Sequence, residues 1–311
     1  MDNLPVIAIR FALYADLMVL AGMVAFNLYA LTATERTNTS FISLRPIVLV
    51  LALLGFILSG LGLLVLAAAM MGASLFPVDP THVGMILFET ATGPAWIVRM
   101  LALAIVLAAA LALERFPTAM RMVVLLASSV AIATLVWTGH AGATEGVSGT
   151  IHRLSDIVHM LAASIWVGGI ASFAWLLFKP AGKTSSTELA MAHRALEQFS
   201  RVGTLVVGLI VLTGLINCQF LIGIANLGLI AGTPYGQLLL AKLALFGLML
   251  VLAATNRWRL TPALNAGVTS GDTAVAVTAL RKSLIAEGAA VLLILALVAW
   301  LGTLEPLGLF E

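Results

Sequence analysis

IVLVLALLGFILSGLGLLVLAAAM, residues 47–70, decides the fold. It carries no charged side chain, and as a helix it would extend ~36 Å, enough to cross a hydrocarbon core of about 30 Å. A barrel strand would have to alternate apolar and polar positions, and this run does not. Only a helix satisfies its backbone in lipid. Gly55, Gly60 and Gly62 punctuate the run, and small residues let neighbouring helix backbones approach closely.

Outward from this stretch, which extends over 44–72, seven more apolar runs reach spanning length: 6–31, 94–113, 121–139, 153–178, 200–224, 236–255 and 283–302. The expected fold is all-α, a polytopic membrane bundle of eight transmembrane helices, with residues 1–311 forming a single membrane domain. Composition agrees: 61% of residues are hydrophobic, 10% are charged, and the mean hydropathy is +1.11. MDNLPVIAIRF at the start lacks a basic n-region and a small-residue cleavage site, so the first apolar run is read as a retained span. A formal charge of +2 with no long basic run leaves no footprint for nucleic acid, and makes membrane lipid the expected surroundings. Cys218 is the sole cysteine, which excludes an internal disulfide. No signal sets an oligomeric state.

Basic residues fix the expected orientation. The loops after helices 1, 3, 5 and 7 hold Arg36, Arg45, Arg115, Arg121, Lys179, Lys183, Arg194, Arg201, Arg257, Arg259, Arg281 and Lys282, whereas the opposite loops hold only Arg153. By the positive-inside rule the first group faces the cytoplasm and both termini are periplasmic. His82, His140, His152 and His159 then fall on or near the outer face, with Asp79, Glu89, Glu145 and Asp156 nearby. His193 lies on the other side, in a charged amphipathic segment leading into helix 6, and is assigned no metal role.

GHAGATEGVSGTIHRLSDIVHMLAASIWVGG, residues 139–169, is the chemical centre. His152, Asp156 and His159 are spaced i, i+4, i+7 and share a helix face, with His140 one short polar loop before them. Imidazole both binds metals and titrates near neutral pH, so the pattern points to metal handling or proton movement. His152 and His159 are separated by about 10 Å along a helix and cannot hold one ion together. Either His152 belongs to the loop, with Ser148 or Thr150 capping the helix, or the residues form successive stations. The expected grouping is His140 with His159 as an inner pair and His152 with Asp156 as an outer one. His82, Met100 and Cys218 are weaker ligand candidates; a thiol, a thioether and an imidazole in one layer would select Cu(I).

Other polar residues in or beside the spans admit structural roles. Arg99 and Lys242 can pair with Glu89 or Asp16, and Asn256 and Arg257 can cap helix 7 at the inner interface. Asp16, inside the first helix, is either a proton carrier or a salt-bridge partner. Trp96, Trp137, Trp166 and Trp300 fit an aromatic belt. No GxxxxGK[ST] segment or hydrolase nucleophile constellation is present, so neither an ATP-driven pump nor an enzyme is expected.

Four segments carry a family resemblance: FETATGPAWIVRM (88–100), the 139–169 stretch, TPYGQLLLAKLALFGLMLVLAATNRWRLTPAL (233–264) and LRKSLIAEGAAVLLILALVAWLGTLEP (280–306). In this order they resemble the CopD/PcoD copper-resistance membrane proteins over essentially the whole chain. The resemblance implies an inner-membrane protein of copper homeostasis that moves copper from periplasm to cytoplasm, served by a small periplasmic copper-binding protein of the CopC type. It matches His159, Trp166, Gly168 and Gly169 in helix 5, Lys242 in helix 7, and Asn256 with Arg257 at its end. The fused CopC-like domain and Met-rich outer loops of some relatives are missing here. The copper reading has two alternatives: a b-type haem protein, which needs paired histidines at matched depth, and a non-transporting copper store or delivery factor. Few candidate ligands line the inner halves of helices 4 to 6, which counts against a continuous transport path.

Overall fold

The computed structural model describes residues 3–37, 42–72, 80–178, 186–270 and 273–307; Asp79, Lys179 and Lys183 lie outside them. Eight helices are long and apolar enough to span a bilayer. They are α1 (Leu4–Ala30), α2 (Leu44–Met71), α3 (Thr92–Leu111), α4 (Pro117–Ala133), α5 (Gly146–Leu177), α6 (Ser186–Leu221), α7 (Pro234–Thr255) and α8 (Ala274–Leu301). A 3-10 turn, Thr134–Thr138, prolongs α4. Among the described residues there is no strand.

Local chemistry sets several ends. Proline opens α4 and α7, where its missing N–H costs nothing and its fixed φ suits the first turn. Thr233 caps α7, its hydroxyl accepting from the Gly236 amide at 3.1 Å. Gly72 ends α2 in the left-handed conformation, φ 59°.

Along α2, Val50, Leu53, Ile57 and Leu61 are exposed while Val48, Ala52 and Ser59 are buried. This is the helical period with its sense set by lipid: apolar everywhere, largest on the outside. The main core runs through α1, α5 and their neighbours, with Leu17, Val24, Phe26 and Phe173 almost fully enclosed. At its centre α1 crosses α5 through glycine. A Cβ on Gly22 would lie 1.9 Å from the Ser164 carbonyl oxygen, and one on Gly168 would lie 2.0 Å from the Gly22 carbonyl carbon. No other residue fits that crossing without moving a backbone.

Arg10 ties the two chain ends together, donating to the carbonyls of Gly302 and Thr138, so the start of α1 and the ends of α4 and α8 meet at one face. We call this the terminal face. The opposite face is arginine-rich. There Arg36 donates to Leu31 O at 2.9 Å, Arg281 to Leu177 O at 2.7 Å and Arg121 to Arg36 O at 2.7 Å, while Arg194 pairs with Glu35. Guanidinium groups thus satisfy carbonyls left over at the ends of α1 and α5.

Several expectations change. The Gly- and Ser-rich segment before helix 5 is itself helical from Gly146, whose φ of 67° only glycine takes easily, and His152 belongs to that helix. Glu145 occupies the N-cap without a side-chain bond, so neither Ser148 nor Thr150 caps. The charged segment holding His193 is continuous with helix 6 as one helix of 36 residues, with His193 3.9 Å from Glu197. Helix 7 does not stop at Asn256: the chain continues through a π turn, Asn256–Leu260, into a helix at Thr261–Ser270. Trp166 is buried in the core instead of standing at an interface, and Trp96 donates to Ser59 O at 2.8 Å.

Candidate functional site

The α5 face with the three polar residues turns inward, while Ile151, Leu154 and Val158 between them are exposed to lipid. Each inward group meets a different partner, so the helix carries a ladder of separate stations.

The outermost layer joins His140 and His152, which are electrostatic neighbours. His140, in the short helix His140–Ala143, places Nε2 3.1 Å from the Leu301 carbonyl. A carbonyl only accepts, so Nε2 carries the hydrogen and Nδ1 of the neutral ring keeps its lone pair. Tyr235 stands edge-on to this ring, 6.1 Å between centroids. Burial holds His140 below the ordinary histidine range; the Leu301 bond pulls the other way and the Arg10 charge adds to the lowering. His152 is 3% exposed, pairs through Nδ1 with the Thr144 hydroxyl at 3.1 Å, and stacks on Phe220 at 4.8 Å and 14°.

One turn deeper, Asn217 on α6 donates Nδ2 to Asp156 Oδ1 at 3.2 Å. Lys242 on α7 is the cationic neighbour of Asp156, of His159 and of Cys218. His159 Nδ1 lies 3.0 Å from Thr213 Oγ1, whose own hydrogen points to Leu209 O at 2.5 Å. The hydroxyl therefore accepts from His159 Nδ1–H, which leaves Nε2 as the ring's lone-pair nitrogen. Anchoring one imidazole nitrogen so that the other is free to ligate is a common supporting arrangement for metal-binding histidines. Cys218 packs beside Tyr235, Leu239 and Leu301 in a small apolar cluster between α6, α7 and α8.

This regroups the expected pairs. His140 sits with His152 in the outer layer, and Asp156 sits with His159, Lys242 and Cys218 in the deeper one. Lys242 serves Asp156, not Glu89 or Asp16. Met100 is absent from this layer because α3 packs chiefly against α2 and α4, away from α6 and α7. His82 belongs to the Pro80–Glu89 helix, which packs on α2 and α3, and Glu89 at its end is exposed. Among the described residues no three of His, Cys, Asp and Glu converge in a metal-holding group.

Two further buried charges stand on the α1–α3 side. Asp16 is 5% exposed, its oxygens have no hydrogen-bond partner among the described residues, and it points at Gly55, where a Cβ would lie 2.7 Å from Oδ2. Arg99 has Tyr14 as its electrostatic neighbour and leaves Nε and Nη1 unpartnered, so the Asp16–Arg99 salt bridge does not form. Asn256 occupies the C-cap position of α7, and its side-chain amide donates across to Glu287 on α8; Arg257 donates to Thr204 Oγ1 at 2.7 Å.

Sequence reasoning missed Thr213, Asn217 and Glu287. A signal existed for each. Thr213 and Asn217 stand i, i+4 on one face of an apolar helix, and Glu287 is the lone carboxylate inside the last span.

Eight apolar helices with an inward row of imidazole, carboxylate, thiol and ammonium groups define a multi-pass membrane protein with a partly polar interior. Residues 1–150 match the family model described as "Copper resistance protein D-like, N-terminal domain", and residues 193–301 match that of "Copper resistance protein D". The chain is 41% identical to Copper resistance protein D of Pseudomonas syringae pv. tomato over 303 residues, 96% of each chain. It is 27% identical to Inner membrane protein YebZ of Escherichia coli (strain K12) over 302 residues, 96% of this chain and 98% of that one. It is also 35% identical to Copper transport protein CutJ of Bacillus subtilis (strain 168) over 191 residues, 57% of this chain and 32% of that one. No solved structure matches. The chain belongs to the copper resistance protein D family and is a multi-pass inner-membrane protein.

Proposed function

We propose that this protein acts in copper homeostasis by moving copper, as Cu(I), from the periplasm to the cytoplasm along the inward face of α5. The observation that carries this reading is the deeper layer, where a histidine with a free Nε2 and a carboxylate on α5 and a thiol on α6 have Lys242 of α7 as their common cationic neighbour. Soft and borderline donors suit Cu(I). Copper is named in two of the relatives, which supports it as cargo.

The terminal face is read as periplasmic by the excess of arginine and lysine on the other side. His140 and His152 form the entrance, Asp156, His159 and Cys218 the next stations, and a CopC-like periplasmic protein is the expected donor. Ligands spread over successive turns favour passage over storage, since a store gains from several donors converging on one ion. Neither copper-named relative is named for haem, and copper is therefore preferred to the b-type haem alternative as the bound species.

Sealed proteoliposomes offered Cu(I) test the reading. Lumenal copper should rise with time above that in protein-free vesicles; copper that stays bound to the protein without entering would replace transport by storage or delivery.

A further inference from the structure

Below His159 the α5 ladder meets an aromatic pair, Trp166 and Phe246, edge-on at 6.2 Å. Beyond it, toward the arginine-rich face, a cavity of about 250 Å³ opens between α5, α6, α7 and α8. Its walls are mostly apolar, with Trp166, Phe173 and Phe199 prominent, but one carboxylate lines it. Glu287 is 2% exposed, accepts from Ser283 Oγ at 3.3 Å and takes the amide of Asn256. The other end of that amide, Asn256 Oδ1, is buried without a partner among the described residues. Arg257, the only charged group besides Glu287 among the lining residues, stands at the rim, held by Thr204.

From these observations we propose that Glu287, with Asn256 as its positioning residue, is a proton-exchange site loaded through this cavity from the arginine-rich face. The cavity has room for several waters, enough to conduct a proton to a group about 9 Å of helix inside Arg281. In the loading step a hydronium gives its proton to a Glu287 oxygen: an O–H bond forms on the carboxyl and one breaks in hydronium, leaving water. Asn256 and Ser283 each donate a hydrogen bond to the Glu287 carboxyl group, and Arg257 stands at the rim. Among the described residues lining the cavity there is no second carboxylate. The α5 wall offers Trp166, Ile170 and Phe173, Thr261 offers a hydroxyl, Arg201 and Arg259 are exposed outside the lining, and α1, which also packs on α8, aims Asp16 at Gly55. The π turn at Asn256 gives the site its geometry, because a widened turn is where the side chain leaves α7 for α8.

The proposal does not depend on copper being the cargo. The test is infrared difference spectroscopy on the full protein in oriented vesicles, with pH stepped on one side at a time. The wild type should show a carboxyl band that follows pH on the arginine-rich side and is missing in Glu287→Gln. Asn256→Ala should retain the band but move its midpoint to higher pH by about one unit, since the ionised form loses a donor. A band that survives in Glu287→Gln, that follows only the terminal-face pH, or whose midpoint ignores Asn256→Ala overturns the assignment. So does a wild type with no pH-dependent carboxyl band. Asp156→Asn is the control expected to leave the band in place.

Discussion

Asp156 on α5 and Glu287 on α8 each accept a hydrogen bond from an asparagine amide on a neighbouring element, Asn217 in one case and Asn256 in the other. Their surroundings differ. Asp156 has Lys242 as a cationic neighbour and lies in a layer with His159 and Cys218, while Glu287 shares an apolar cavity with a single rim arginine. A carboxylate beside a lysine shapes the field around a passing cation. One without a close cation is placed to exchange a proton. Similar local bonding therefore supports two roles, and the neighbour on the third helix decides between them.

The strongest way to break the comparison is to remove that neighbour. Lys242→Met should give the largest loss of stability, because it removes the cationic neighbour of a buried carboxylate. The double variant Lys242→Met/Asp156→Asn should regain most of the loss. Thermal unfolding in detergent reads both, and a double variant no better than the single would separate Lys242 from Asp156.

Next in size are the two asparagines. Each donates to a carboxylate, so replacement by alanine should cost about 1.5–3 kcal/mol. Asn256→Ala should fall at the upper end and Asn217→Ala at the lower, since Lys242 still steadies Asp156. Equal losses would mean that the lysine adds nothing.

The smallest effect concerns the outer layer. The ring of His140 is held below the ordinary histidine range by burial, so as pH falls through that range the unfolded chain binds its proton before the folded one does. Stability attributable to this group is therefore present above the ordinary value and declines below it. His140→Gln should flatten the drop in unfolding temperature between pH 7 and pH 5, whereas an unchanged slope would assign the acid sensitivity to the other inward histidines.

Helix number was legible because lipid enforces one rule: any run such as 47–70 must close its own hydrogen bonds. Sequence also aligned His152, Asp156 and His159, since a helical face follows from spacing alone. Their partners were not legible. Whether Lys242 faces Asp156 or Asp16 depends on which helices adjoin, and that was set by Gly22 and Gly168 letting α1 and α5 cross in contact. Met100 shared a nominal depth with Cys218, yet depth says nothing about angle around the bundle. The start of α5 was misplaced because Gly and Ser read as loop, although at a membrane surface the helix continues to Gly146 without a side-chain cap. A polar group for the inner half was sought on helices 4 to 6. Glu287 supplies one from helix 8.

Cu(I) entry into vesicles, followed side by side for wild type, His159→Ala and Glu287→Gln, tests the central claim most directly. Time-dependent lumenal copper should be lost in His159→Ala, and in Glu287→Gln it should persist without its dependence on pH at the arginine-rich face. Entry that His159→Ala leaves unchanged would contradict the α5 ladder as the copper path.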